Sequence, residues 1–369
     1  MQIVLLSHRI TRATIRANRF VAEDDGSDNL PAGAASEDSV SKPTISDLAR
    51  AAGVSVTTVS HAFSGRRHVD PATAERIRAL ASQMGYRPSS RARALRSGRT
   101  GVIALASSMP FAVAAGPSRL GFLMEIAASA AMSALTRDLA LCLIPPHPAG
   151  DGFGGVDFDG VILVEPARDD PLVGHFEQRG TPIVSIGTAP GRPDIPAVDL
   201  RSRQTAEMLL DHLAAQGSSR IAALIGASPR TSQIEAEAAY LDHARHRGFP
   251  PLLVRLDEDQ GEDLACRETL RLLEENPEID GIFAAVDAFA TGAVQAAHRL
   301  RRAIPGQVRV VTRYDGLRAK LSVPPLTAVD LHLPTTAERA VQLLLDRIEG
   351  RLGTATADLP GLVLRDSSR

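Results

Sequence analysis

Thr44-Ile45-Ser46-Asp47-Leu48-Ala49-Arg50-Ala51-Ala52-Gly53-Val54-Ser55-Val56-Thr57-Thr58-Val59-Ser60-His61 reads as two short helices joined by a glycine turn. In the first helix Ile45, Leu48, Ala49 and Ala52 fall at i, i+3, i+4 and i+7 and make one apolar stripe. Thr44 is placed to cap its N-terminus, and Asp47, three residues on, to return the bond and meet the positive helix end. Gly53 ends the helix, because so tight a reversal favours a residue that tolerates positive φ. Ser55 then caps a second helix in which Val59 points back to the core and Val56, Thr57, Ser60 and His61 stay outward. Short polar and methyl-bearing side chains at the start of a second helix suit contact with base edges in a DNA major groove. The pattern implies an all-α helix-turn-helix that reads DNA.

Asp70-Pro71 opens a third helix, with Asp as N-cap and Pro at the first helical position. Ile77, Leu80, Ala81 and Met84 form its buried face, and Gly85 ends it. Three segments follow one another over residues 43–100: the run Ile45 to Ser60, the exit Gly85-Tyr86-Arg87-Pro88, and the stretch Ala92-Arg93-Ala94-Leu95-Arg96. In order and spacing they resemble the lactose-repressor/galactose-repressor (LacI/GalR) family of bacterial transcription regulators. The resemblance implies that Val56, Thr57 and His61 reach base edges, with Thr44, Ser55, Thr58 and Ser60 as caps and backbone anchors. It also makes Ser89–Ser97 a hinge helix, with Leu95 as a wedge entering the minor groove and Arg93 and Arg96 on phosphate or minor groove. About nine residues are too few for a stable isolated helix, so this hinge is expected to fold only over the centre of a DNA operator.

Charge is distributed to match. Lys42 to Thr100 holds eleven basic residues against Asp47, Asp70 and Glu75, a net +8 in a chain whose total is −2. A basic module on an acidic body fits phosphate contact by one end only. Cys142 and Cys266 are too few and too far apart for a disulfide framework or metal site and lie in apolar runs, as core residues do. No apolar run approaches the length of a membrane span, and Ile3-Val4-Leu5-Leu6 is shorter than a signal-peptide core, so the expected location is the cytoplasm. Residues 1–41 match nothing in the family, and 22–41, rich in Ala, Gly, Ser, Asp and Glu, are expected to be disordered. Two explanations stay open for this extension: translation starting near Val40, or a basic arm carrying Arg9, Arg12, Arg16 and Arg19.

After Thr100 short apolar runs alternate with amphipathic helices. Strands are expected at Val102–Ala106, Ala140–Ile144, Gly160–Val164, Ile183–Ile186, Ile221–Ile225, Leu252–Arg255, Gly281–Ala285 and Val308–Thr312. Helices are expected at Leu120–Arg137, Ser202–Gln216, Thr231–Arg247, Leu264–Asn276 and Ala288–Arg301, and the tail Ala340–Gly350 resembles the family's final long helix. This rhythm means parallel sheets covered on both faces, in two doubly wound subdomains, with a ligand at the facing C-terminal strand ends. The resemblance implies the same α/β periplasmic-binding-protein-like effector core. The expected divisions are an extension at 1–41, the helix-turn-helix domain at 42–88, a hinge at 89–99 and an effector-binding and dimerisation domain at 100–369. Within the last, an N-subdomain takes 100–198 and 330–358, and a C-subdomain 199–329 and 359–369.

Phe111, Asp287, Tyr314 and Asp315 occupy positions where family members hold their effector. The surroundings depart from sugar-binding relatives: Val286 precedes Asp287 where an Asn stands in them, Thr312-Arg313-Tyr314-Asp315 lacks one acid, and Ala236 replaces an arginine before Tyr240. Unmatched buried polar groups cost about 1–3 kcal/mol each, which argues against an ordinary monosaccharide. Helix capping and interface ion pairing are the competing roles for Asp287 and Asp315. The extended loop from Ser108 to Arg119 reads equally as a lid or as a tolerated surface insertion. Gly150 to Gly155 satisfies a Gly-x-Gly-x-x-Gly expression but leads into a strand, not the helix a dinucleotide needs. No nucleophile elbow, phosphate loop or metal-spaced cluster occurs, and His243 and His246 read as solvent-facing. The expectation is a cofactor-free, metal-free, non-enzymatic regulator, a homodimer on a near-palindromic double-stranded operator with a small-molecule effector of unknown identity. A DNA-binding regulator that has lost small-molecule control is the alternative; a transport-type binding protein fits poorly with the basic N-terminal module.

Overall fold

A computed structural model describes residues 43–64, 67–86, 99–110, 121–144, 156–351 and 353–369. The expectations for residues 1–41, for Arg93, Leu95 and Arg96, for Phe111 and its loop, and for Gly150 to Gly155 lie outside the described residues. The chain divides into two compact units, Met1–Arg87 and Pro88–Arg369.

In the first unit α1 (Ile45–Ala52), α2 (Val56–Ser64) and α3 (Pro71–Gln83) enclose a small core of Leu48, Ala49, Ala52, Val59, Ala62, Ala74, Ile77 and Ala81. Leu80 and Met84 pack against it half-buried. Thr44 and Asp47 form a reciprocal capping box at the start of α1. Gly53 adopts φ +65°, and its N–H bonds back to the Ala49 and Arg50 carbonyls. Asp70 accepts the Thr73 N–H at 3.0 Å, fixing the start of α3 at Pro71.

In the second unit two parallel sheets each carry helices. The first lobe has β1 (Val102–Ala106), β2 (Ala140–Leu143), β3 (Gly160–Val164), β4 (Ile183–Ile186), β5 (Ala197–Asp199) and β11 (Ala355–Thr356), ordered β11-β5-β4-β3-β1-β2. The second lobe has β6 (Ile221–Gly226), β7 (Leu252–Leu256), β8 (Gly281–Ala284) and β9 (Arg309–Thr312), ordered β7-β6-β8-β9. β10 (Ala328–Asp330) and β12 (Gly361–Val363) pair antiparallel. The helices are α4 (Phe122–Leu135), α5 (Pro171–Gln178), α6 (Ser202–Ala215), α7 (Thr231–Arg247), α8 (Gly261–Glu275), α9 (Asp287–Arg299), α10 (Leu317–Leu321) and α11 (Leu333–Ile348). All eight expected strands are present within a residue or so of their limits. α11 begins seven residues before its expected start, at a proline-marked N-terminus. α8 and α9 approach so closely that a Cβ at Gly292 would stand 2.6 Å from the Glu262 carbonyl oxygen.

Two buried polar side chains of the second lobe, Tyr240 and His212, are satisfied by distant chain segments. The fully buried Tyr240 hydroxyl donates to the Ile221 carbonyl at 2.9 Å and accepts the Leu252 N–H at 2.8 Å, tying α7 to β6 and β7. His212 Nε2 lies 2.8 Å from Ser368 Oγ, whose neighbour Ser367 bridges Val310 and Thr327. His243 is not solvent-facing as expected: its side chain is 10% exposed and packs against Phe249, because α7 lays this face on the lobe. Cys266 is buried and Cys142 half-buried, and both are free thiols.

Burial depresses the His212 and His243 imidazoles below their ordinary value, with Arg309 adding to the effect at His212. Groups whose folded pKa is depressed bind protons better when unfolded, so their stability is present above about pH 6.5 and lost as pH falls. The melting temperature of this unit is therefore expected to drop on acidification below that point. In a His212→Gln/His243→Gln variant the slope should flatten, as read by calorimetry between pH 5 and 8.

Candidate functional site

The second helix of the first unit presents a short exposed face. Ser55 Oγ accepts the Thr58 N–H at 3.0 Å and lies 2.8 Å from Thr58 Oγ1, so both hydroxyls serve the helix start. Thr44 is engaged in the same way, its Oγ1 donating to Asp47 at 2.6 Å. The Thr44 hydrogen bonds hold the Asp47 carboxyl below its ordinary value. Val59 is fully buried and anchors α2, whereas Val56 is 42% exposed and Thr57 is exposed. Ser60 and His61 are half-buried one turn further on, and the 100° helical step brings residues 56, 57, 60 and 61 to one side. Arg78 donates to the Ala62 carbonyl at 3.3 Å and steadies α2 against α3.

In the second unit the lobes meet at the C-terminal ends of their strands, where parallel sheets place ligands. Glu165 follows β3, takes φ +46°, and is 5% exposed. Its carboxylate accepts Arg313 of the other lobe at 2.6 and 3.2 Å and the Ser232 hydroxyl at 3.1 Å. Its carbonyl accepts Arg230 Nε at 3.0 Å. Arg230, which precedes α7, also pairs with the buried Glu258, whose carboxyl is pushed up by burial against the pull of that arginine. The cavity that Glu165, Arg230, Glu258 and Arg313 line with Phe122 and Asp287 has a volume of about 40 Å³.

The sequence-derived effector residues divide between two places. Asp287 lines the cleft as the first residue of α9, bonded to the Ala288 N–H at 2.8 Å and to Arg318 at 3.2 Å. Burial raises its pKa, with Arg318 opposing. Tyr314 donates to Glu125 across the lobes and meets the Phe122 ring edge-on at 5.4 Å. Burial, then Glu125, pushes its hydroxyl well above the ordinary value. Asp315 does not line this cleft. It pairs with Arg365 at 2.6 Å and faces a neighbouring cavity of about 330 Å³, lined also by Tyr314, Glu125, Lys320 and His332. Glu165, Arg230, Glu258 and Arg313 were absent from the sequence-derived set. Two of them stood in plain view, since Glu165 and Arg313 directly follow expected strands of parallel sheets.

Residues 44–89 match the family model for bacterial regulatory proteins of the lacI family, and residues 210–368 match that for a periplasmic binding protein-like domain. The maltose regulon regulatory protein MalI of Escherichia coli (strain K12) is 30% identical over 267 residues, covering 68% of this chain and 74% of its own. The chain belongs to the lacI family of bacterial regulatory proteins. As such it is a DNA-binding transcriptional regulator and not an enzyme. The solved transcriptional regulator CelR–cellobiose complex is 25% identical, with a TM-score of 0.63 and coverage of 88% of this chain and 99% of that one. The lac repressor dimer bound to operator and the anti-inducer ONPF shares the fold, with a TM-score of 0.73, 21% identity, and coverage of 88% and 99%. Among the described residues of this lacI-family regulator no helix is long and apolar enough to cross a membrane, and no cluster could hold a metal ion.

Proposed function

We propose that this regulator represses transcription from the cytoplasm by binding a near-palindromic operator as a homodimer, and that a small molecule in the inter-lobe cleft changes its DNA affinity. The observation that carries the reading is the face of Val56, Thr57 and His61 on a helix whose start is capped by Ser55 and Thr58. Thr44, Ser55, Thr58 and Ser60 then act as caps and anchors within a 42–88 reader, and residues 89–99, with Arg93, Leu95 and Arg96, join it to the effector core. One reader helix covers only a few base pairs, so specificity calls for two. Met132 and Leu135 of α4, 63% and 61% exposed, supply apolar surface for that two-fold contact. Such pairing accords with the solved lac repressor dimer on its operator, and a cleft ligand accords with cellobiose in the CelR complex.

The deciding experiment is selection of bound sequences from a random DNA pool, followed by sedimentation of the complex. Two-fold symmetric sites on a dimer support the reading; a monomer on DNA at micromolar concentration overturns it. His61→Ala should lose roughly 1–3 kcal/mol of discrimination at particular operator positions with little change in nonspecific affinity. Uniform loss across sequences would make His61 a phosphate contact. The small free volume of the cleft favours a second reading, a regulator that answers to no small molecule. A thermal-shift screen of the full chain against metabolites separates the two, because a ligand of the native state raises the melting temperature.

A further inference from the structure

We propose that Glu165 is the built-in occupant of an oxyanion site formed by Arg313 and Ser232, and that the effector carries a carboxylate or phosphate that takes its place. The proposal rests on the reading of the cleft as an effector site and names the chemistry of what enters it. The arginines in and beside the cleft are not equivalent. Arg230 is paired with Glu258 and Arg318 with Asp287 and Glu262, all carboxylates of the second lobe. Among the described residues the ion pair of Arg313 comes from Glu165 of the first lobe. With the lobes in contact Arg313 is 7% exposed, and a Glu165 that leaves the cradle takes away the counter-charge of a buried guanidinium.

The cradle is shaped for two oxygens. Both Arg313 Nη atoms and the Ser232 hydroxyl converge on the Glu165 carboxylate, the forked geometry by which arginine holds planar oxyanions. Arg313 Nε is buried with no acceptor, a donor that Glu165 leaves unused. The Phe122 ring lies 5.5 Å from the guanidinium carbon and covers it, so the charge has little access to water. A free volume of about 40 Å³ is close to that of one water, and a larger molecule enters only when Glu165 withdraws. Withdrawal without a replacing charge leaves a buried ion unpaired, which is strongly unfavourable. A neutral ligand does not restore the balance; an anion does.

Full-length wild type, Glu165→Ala and Glu165→Gln are compared by thermal unfolding in acetate, acetamide and chloride at equal ionic strength. Glu165→Ala removes little more than an acetate from the cradle. It should melt lower by roughly 5–15 °C and recover at least half of that loss in acetate but not in acetamide or chloride. Glu165→Gln keeps the shape of the cradle and carries the test should the alanine variant fail to fold. It should respond to inorganic phosphate at an at least about tenfold lower concentration than wild type. Acetate no better than chloride, with phosphate acting equally on wild type and Glu165→Gln, overturns the site. A neutral disaccharide that stabilises all three proteins equally overturns the oxyanion assignment and leaves the effector reading standing. Anion rescue without change in operator affinity supports the site and overturns the effector reading instead.

Discussion

Alanine at Leu48 is expected to unfold the N-terminal helical unit and abolish specific DNA binding, while the α/β unit melts as in the wild type. The reason is the poverty of the small core. Of its eight buried residues five are alanines, and the larger side chains are Leu48, Val59 and Ile77. A buried Leu→Ala change costs about 2–5 kcal/mol through lost transfer energy and residual cavity. A helical module of some forty residues has only a few kcal/mol of stability to lose, since so short a chain buries too little surface. The effect should stay local, because the two compact units have separate cores. Calorimetry of the full chain should show the larger transition unmoved, and fluorescence anisotropy should show operator binding reduced to the nonspecific level. Ser46→Ala, at an exposed site on α1, serves as the control with near-normal binding. Operator affinity retained by Leu48→Ala within tenfold would mean that the helical unit draws its stability from elsewhere.

The helical unit was legible because every signal in it is local. Capping box, glycine stop, Asp-Pro start and i, i+3, i+4 stripe all lie within one turn of the residues they organise. The long strands were legible for the same reason. β5, β10, β11 and β12 were missed because two or three residues carry no measurable period. α5 was missed although Asp170-Pro171 repeats the start signal of α3; Asp170 accepts the Leu172 N–H at 3.0 Å as that signal implies. Asp315 was placed in the cleft by analogy with relatives. In the structure it lines the neighbouring cavity with Tyr314 and pairs with Arg365, fifty residues later in the chain, and no local pattern announces that pairing. Arg230 and Glu258 escaped for a related reason, since a buried ion pair looks in sequence like two ordinary surface charges.

That same pair sets the largest expected stability effect in the α/β unit. Arg230→Ala removes the partner of Glu258 and the hydrogen bond to the Glu165 carbonyl together. Glu258 is 4% exposed and pressed against Gly226, where a Cβ would stand 2.2 Å from its Oε1, so it has no short route to water. Breaking a buried pair from one side costs about 3–5 kcal/mol, or roughly 6–20 °C in a unit of this size. The carboxyl already sits above its ordinary value through burial, and loss of Arg230 pushes it further up. A carboxyl whose folded pKa is raised contributes stability below its unfolded value, near 4.5, and loses it as pH rises. The deficit of Arg230→Ala against wild type should therefore be smallest near pH 4.5 and grow toward pH 8. Arg230→Met/Glu258→Leu removes both charges while keeping their volume, and should regain most of the lost stability at every pH. Thermal unfolding of the three proteins across that range is the check. A double variant as unstable as Arg230→Ala would show that the bond to the Glu165 carbonyl, and not the charge on Glu258, is what holds the lobes together.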